Sequence, residues 1–158
     1  MNDLNDREEI RELYARYCFS VDEGRPDLFA AQFTEDANLW LSDRGSYDGR
    51  EAILGHVGKR SGVLLHLIHN VAIDKVDGDE AISHGYFQLV EPKAAQCVAY
   101  GTYDDMLRKV DGRWHWHRKH VNYRFQTPEY QELAKESRRP DFGEDPSPVP
   151  GFAELDAC

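Results

Sequence analysis

The run Leu65-His66-Leu67 puts a polar ring between two leucines inside an extended stretch. A buried donor or acceptor there costs about 1 to 3 kcal/mol unless it finds a partner. A carboxylate satisfies such a ring, and Asp22 is the best candidate by position. It follows the apolar Val21 at the end of a helical pattern and shortly precedes Gly24, a helix stop. A histidine held by an aspartate is a natural general base, because the carboxylate fixes the tautomer and stabilises the imidazolium formed on taking a proton. Tyr17 could then polarise a substrate oxygen. Five residues along a regular helix turn through about 140°, so Tyr17 and Asp22 share a site only where the helix end or the pocket shape brings them together. Each has an ordinary role open to it: Tyr17 as a core aromatic, Asp22 as a helix-end residue, His66 as a satisfied core histidine.

Other groups offer walls and ligands. Trp40, Tyr86, Phe87, Tyr100 and Trp116, with His120 and Asn122, are candidates to line a flat pocket for a polycyclic or aromatic substrate, ordinary sheet packing being the alternative. His115, His117 and His120, with His69, raise the question of a metal. Strand alternation places His115 and His117 on one face and His120 on the other, so three ligands require a bulge, and no metal is expected. Cys18, Cys97 and Cys158 are odd in number and widely spaced, as for ordinary reduced thiols.

Positioning these groups requires a scaffold, and the pattern supplies one. Ile10, Leu13, Tyr14, Tyr17 and Val21 recur at helical spacing, with Asn5 and Glu8 or Asp6 and Glu9 as a capping box and Gly24 as the stop. Pro26 opens a shorter helix carrying Leu28, Phe29 and Phe33, broken by Thr34-Glu35-Asp36. Asn38 to Leu41 reads as a brief strand. Asp48 and Glu51 form a second capping box for a helix that buries Ile53, Leu54 and Val57 and closes at Gly58 and Gly62. Four long extended runs follow, 64–76, 80–91, 96–110 and 113–125, with Asp77-Gly78 and Asp111-Gly112 as hairpin turns. Three helices followed by such a meander predict an α+β fold. The helices pack on a strongly curved, mainly antiparallel sheet, a cone-shaped barrel that encloses a pocket. Residues 127–137 are compatible with a short helix, and 138–158, with Pro140, Pro146, Pro148 and Pro150, read as an extended tail that lids the pocket, wraps a neighbour or stays disordered.

The whole chain sets the outer bounds. Its 158 residues fit one domain, read as 1–126 with a C-terminal helix and Pro-rich tail at 127–158. A net charge of -10 without any basic stripe argues against nucleic acid as a partner. The absence of a long apolar run, and a start without basic and hydrophobic segments, lead to the expectation of a cytoplasmic protein that does not enter a membrane.

Several segments together resemble a known family. Ile10-Arg11-Glu12-Leu13-Tyr14, Tyr17 to Asp22, Tyr47-Asp48-Gly49-Arg50-Glu51-Ala52-Ile53, His66-Leu67-Ile68-His69-Asn70, Gly101-Thr102-Tyr103-Asp104-Asp105 and Asp111-Gly112-Arg113-Trp114 follow one another as in the SnoaL-like branch of the nuclear transport factor 2-like superfamily, over about residues 6–125. The pattern is most similar to scytalone dehydratase, bile acid 7α-dehydratase and hexachlorocyclohexane dehydrochlorinase. The resemblance implies that Asp22 pairs with His66, that Asn70 completes the strand motif and that Tyr17 is the tyrosine of the bile acid enzyme's pattern. It implies proton abstraction and elimination of water or halide without a cofactor, on a hydrophobic small molecule, in a homodimer or larger homo-oligomer. The Asp-Arg-Asp site of limonene epoxide hydrolase is not matched. Family members often carry an arginine or another acidic group on the later strands, where this chain offers Gln88 and Glu91 on one and Arg118, Lys119 and His120 on the last, which leaves the proton donor to the leaving group unassigned. A noncatalytic binding or assembly domain, and an aldol-type polyketide cyclase using the same base, are the alternative readings.

Overall fold

The computed structural model describes residues 3–57, 63–136, 138, 139 and 149. The chain begins with helices α1 (Asp3–Asp22) and α2 (Pro26–Ala30), then strands β1 (Phe33–Leu41) and β2 (Gly45–Asp48) and helix α3 (Arg50–Val57). Four long strands follow, β3 (Leu65–Asp77), β4 (Glu80–Glu91), β5 (Gln96–Val110) and β6 (Arg113–Gln126), and then helix α4 (Pro128–Lys135). The two Asp-Gly hairpins form as expected: Gly78, Asp111 and Gly112 have φ of 61°, 50° and 76°, a region glycine enters freely and aspartate tolerates.

The strands join in the order β2-β1-β6-β5-β4-β3. All neighbours are antiparallel except β1 and β6, which run parallel, so the sheet is mixed. The α+β architecture is as expected; the sheet is not closed, and β2 and β3 form its edges. Register shifts interrupt every long pairing, and each extra residue bends its strand. At one of them, between Tyr100 and Gly101, β5 runs so close to β6 that a Cβ on Gly101 would lie 2.0 Å from the carbonyl oxygen of Asn122. Only glycine fits there.

The helices bury one stripe each against the inner face of this sheet. Ile10, Leu13, Tyr14 and Tyr17 of α1, Phe29 of α2, Ile53 and Val57 of α3 and Tyr130 of α4 join Leu39, Phe87, Tyr103, Trp114, Trp116 and Val121 in one apolar cluster. α4 is capped by Thr127, whose side chain accepts from the Tyr130 amide. Among the described residues, no helix is long and apolar enough to cross a membrane.

Four local expectations are corrected. α1 starts at Asp3, so Asn5 and Asp6 lie within it and form no capping box. Asp6 accepts from Lys109 Nζ at 2.5 Å and Trp114 Nε1 at 3.1 Å, and Glu9 from the Trp114 amide at 3.2 Å, tying the helix to the β5–β6 hairpin. Asp48 ends β2 and accepts from Asn38 Nδ2 at 2.7 Å, while the Gly49 carbonyl takes the first bond of α3. Phe33 opens β1 and does not close a helix, and β1 is nine residues long because it is built by distant pairing with β6 that local periodicity does not register. Gly58, Gly62, Cys158 and nearly all of the expected tail lie outside the described residues.

Candidate active site

The end of α1 is where the sequence places Asp22 beside a strand. Gly24 adopts φ 65° and its amide donates to the Val21 carbonyl, while the Arg25 amide donates to that of Ser20. This seals the last turn and leaves the Asp22 side chain to reach the edge strand β3. There it takes two hydrogen bonds from one residue: the His66 amide donates to Oδ2 at 2.8 Å, and His66 Nδ1 lies 2.6 Å from Oδ1. An edge strand offers an unpaired amide, and Asp22 uses it to fix the histidine's backbone as well as its ring. With Nδ1 engaged, the neutral tautomer carries its proton there and leaves the Nε2 lone pair available. The two side chains are 16% and 9% exposed, sheltered yet still reachable.

His66 lines a cavity of about 680 Å³ between the helices and the inner face of the sheet. Tyr17 lines it too, its ring 6.0 Å from that of His66 and nearly perpendicular to it. The 140° between Tyr17 and Asp22 is thereby reconciled: Tyr17 faces the cavity, whereas Asp22 reaches sideways to β3 and acts through His66. Much of the remaining lining is apolar or aromatic, with Val21, Phe29, Leu39, Phe87, Leu89 and Val121 among it.

Beneath this surface lies a buried charged layer. The rings of Tyr17 and Tyr103 meet edge to face, their centres 5.8 Å apart. Lys119 Nζ sits 3.8 Å from the centre of the Tyr103 ring and 4.7 Å from that of Tyr17, and pairs with Asp105 Oδ2 at 2.8 Å. Asp105 also accepts from the Tyr14 hydroxyl at 2.7 Å. Burial pulls the Lys119 ammonium down from its ordinary pKa and pushes the Asp105 carboxyl up, each opposed by the other's charge. Burial also raises Tyr17 far above an ordinary phenol, so it stays protonated as a hydrogen-bond donor. Cys18 is pushed up to about 12, by burial first and then by the Asp22 charge, and is a neutral thiol.

The remaining sequence candidates fall elsewhere. Asn70 is exposed with φ 51°, at the register shift between His69 and Ala72, and does not line the cavity. Phe87 lines it, but its neighbour Tyr86 points away and is 48% exposed, as strand alternation requires. Tyr100 likewise stacks on Phe125 outside, at 5.3 Å. Trp116 is fully buried against Tyr14, in the core below the cavity. Trp40 lies between the cavity-lining Leu39 and Leu41, hence on the opposite face, and packs on His120 at 5.5 Å. Asn122 is outside too, donating to Asp104 Oδ2 at 2.7 Å.

The phase of β6 explains the errors there. Leu107 pairs with Trp116 and Met106 with Arg118, so His117 is an extra residue. Trp114 and Trp116 face inward before this bulge and Lys119, Val121 and Tyr123 after it, which sends His120 and Asn122 outward. Among the described residues no three His, Cys, Asp or Glu side chains stand where they could hold a metal ion. The sequence reading missed Arg44, Tyr103, Tyr123 and Tyr130, all in the lining. Tyr103 was visible in the alternation Ala99, Gly101, Tyr103, Asp105, Leu107; Arg44, in a turn, leaves no periodic trace.

With this geometry in hand, comparison identifies the family. The SnoaL-like domain matches residues 2–120, and the chain belongs to that family. Similar solved structures share the fold. A Nostoc punctiforme protein of unknown function with a cystatin-like fold has a TM-score of 0.74 and 23% identity, over 82% of this chain and 98% of that one. A candidate scytalone dehydratase from Novosphingobium aromaticivorans has a TM-score of 0.70 and 25% identity, over 79% and 88%. A type 3 hexachlorocyclohexane dehydrochlorinase from Novosphingobium barchaimii has a TM-score of 0.68 and 21% identity, over 79% and 90%. No curated protein matches the chain.

Proposed function

We propose that the cavity catalyses a cofactor-independent elimination on a hydrophobic, cyclic small molecule. The observation that carries this reading is the 2.6 Å contact of Asp22 with His66 Nδ1, on a residue that lines a largely apolar cavity. His66 Nε2 removes a proton beside an activating group such as a carbonyl. Asp22 holds the ring and stabilises the imidazolium. Negative charge develops on the activating oxygen, and Tyr17, backed by Tyr103, donates to it. Collapse of that anion expels water or halide from the neighbouring carbon and forms the double bond. The proton on Nε2 can follow the leaving group out, so one histidine serves as base and then acid.

The similarity to the scytalone dehydratase candidate and the dehydrochlorinase supports elimination as the reaction class. Aldol-type cyclisation would use the same base and differ in product. The resemblance also suggests a homo-oligomer; Tyr86, Tyr100 and Phe125, all exposed on the outer face, are the surface we assign to it. Light scattering of the purified protein tests that assignment.

The reaction is tested with a panel of cyclic β-hydroxy ketones, following the absorbance of the conjugated enone. Turnover by the unaltered protein, abolished in His66→Gln, is the expected outcome. Tight binding of panel members without any turnover would instead identify a binding domain.

A further inference from the structure

Arg44, in the turn between β1 and β2, is 3% exposed and lines the same cavity as His66. Its Nη2 donates to the Tyr130 hydroxyl at 2.7 Å, its Nη1 lies 3.4 Å from the Tyr123 hydroxyl, and the two hydroxyls are 2.9 Å apart. Tyr123 and Tyr130 line the cavity too.

Donors outnumber acceptors in this cluster. A guanidinium carries five N–H groups, and the two phenols add two O–H groups. The phenol pair shares one hydrogen, which leaves the other phenolic hydrogen without an acceptor among the described residues. Arg44 Nε is also buried, with no hydrogen-bond partner among the described residues. Among the described residues the carboxylate paired with it is Asp43, 3.4 Å from Nη2. Asp43 accepts from Gln126 at 2.5 Å and borders a separate depression, so it holds the guanidinium from behind. Of the other non-histidine charges in the lining, Glu136 and Arg139 are exposed and opposite in sign. Among the described residues Arg44 is therefore the one buried fixed charge of the lining, and it is positive. Burial opposes that charge, but the two phenol oxygens and Asp43 more than offset it, and the guanidinium stays protonated.

The position of this cluster adds a length. His66 is on β3 at one edge of the sheet, and Arg44 follows β1 next to the other edge. Four strand spacings of about 4.8 Å separate them along the sheet.

We propose that Arg44, Tyr123 and Tyr130 form a subsite for a carboxylate, so that the substrate is a cyclic acid whose anionic end docks here while its reacting carbon lies at His66. The inference rests on the reading of the cavity as the substrate site. Hydrogen bonds from a guanidinium to a carboxylate are stronger than neutral ones and are paired in geometry, so the site selects acids over their esters.

The test is calorimetric titration of the full chain with biphenyl-4-carboxylate and with its methyl ester. The acid should bind about tenfold or more tightly than the ester. Arg44→Gln should bring the two to within about twofold, and Arg44→Lys, which keeps the charge and loses the fork, should fall between. His66→Gln should keep the preference intact, so a failure of the acid/base reading is separable from a failure of this one. The comparison on the unaltered protein stands even if Arg44→Gln does not fold. Equal binding of acid and ester by the unaltered protein, or a preference that survives Arg44→Gln, would overturn the proposal.

Discussion

Two histidines hold carboxylates at nearly the same distance on opposite faces of the sheet, His66 to Asp22 at 2.6 Å and His84 to Asp104 at 2.7 Å. Their surroundings differ. His66 has one carboxylate on Nδ1 and lines a cavity. His84 has a second carboxylate on its other nitrogen, Asp74 at 3.2 Å, and it is off the cavity, in a ladder that continues through Asp104 to Asn122. Burial works against a charge on His84, but the Asp104 hydrogen bond and the charges of Asp104 and Asp74 more than compensate, and its pKa is raised. A histidine flanked by two carboxylates has its protonated form favoured, and its second nitrogen faces a carboxylate instead of a cavity. A histidine with one carboxylate and, among the described residues, no partner on its second nitrogen has what a base in a cavity needs. A short His–Asp distance alone therefore identifies nothing; the second nitrogen decides.

The sharpest way to break this comparison is to exchange the two residues' roles in an assay. With a substrate from the β-hydroxy ketone panel in hand, His66→Gln should lower turnover by about 10²- to 10⁴-fold. His84→Gln should leave turnover within about threefold, and an equal loss in both would erase the distinction.

The charged layer under Tyr17 gives the next effect. Lys119 and Asp105 are both fully buried, so Lys119→Met strands a carboxylate and should cost about 3–5 kcal/mol in denaturant unfolding. Lys119→Met combined with Asp105→Leu should recover most of the loss. Additive losses would show that the pair is not the reason for either charge.

Tyr17→Phe should reduce turnover by about a hundredfold with little change in stability, if its hydroxyl serves a developing oxyanion. A loss of stability alone would return Tyr17 to the core.

The smallest effect is a pH dependence on the outer face. The folded pKa of His84 lies above its unfolded value near 6.5, so the stability it contributes is complete below about pH 6.5 and is lost as pH rises through the folded pKa. The melting-temperature gap between the unaltered protein and His84→Gln should narrow from about pH 5.5 to 9. A constant gap would contradict the raised pKa of His84.

Much of this site was legible in the sequence because its parts follow local rules. A glycine stop fixes the end of α1 and so the height of Asp22, and Asp-Gly turns fix the hairpins that frame the sheet. His66 declared itself by being polar between leucines. What was not legible depends on bulges and on distant pairing. The extra residue at His117 reverses the phase of β6, which put His120 and Asn122 outside and brought Lys119 and Tyr123 in. Arg44 belongs to a turn whose place is set by parallel pairing of β1 with β6, and no window of local sequence contains that contact.

The most direct test of the central claim needs no knowledge of the natural substrate. Enolisable cyclic ketones such as 1-tetralone are incubated with the protein in D₂O, and deuterium entry beside the carbonyl is followed by NMR. The unaltered protein and His84→Gln should accelerate exchange, and His66→Gln should fall to the uncatalysed rate. Exchange that persists undiminished in His66→Gln would contradict the account.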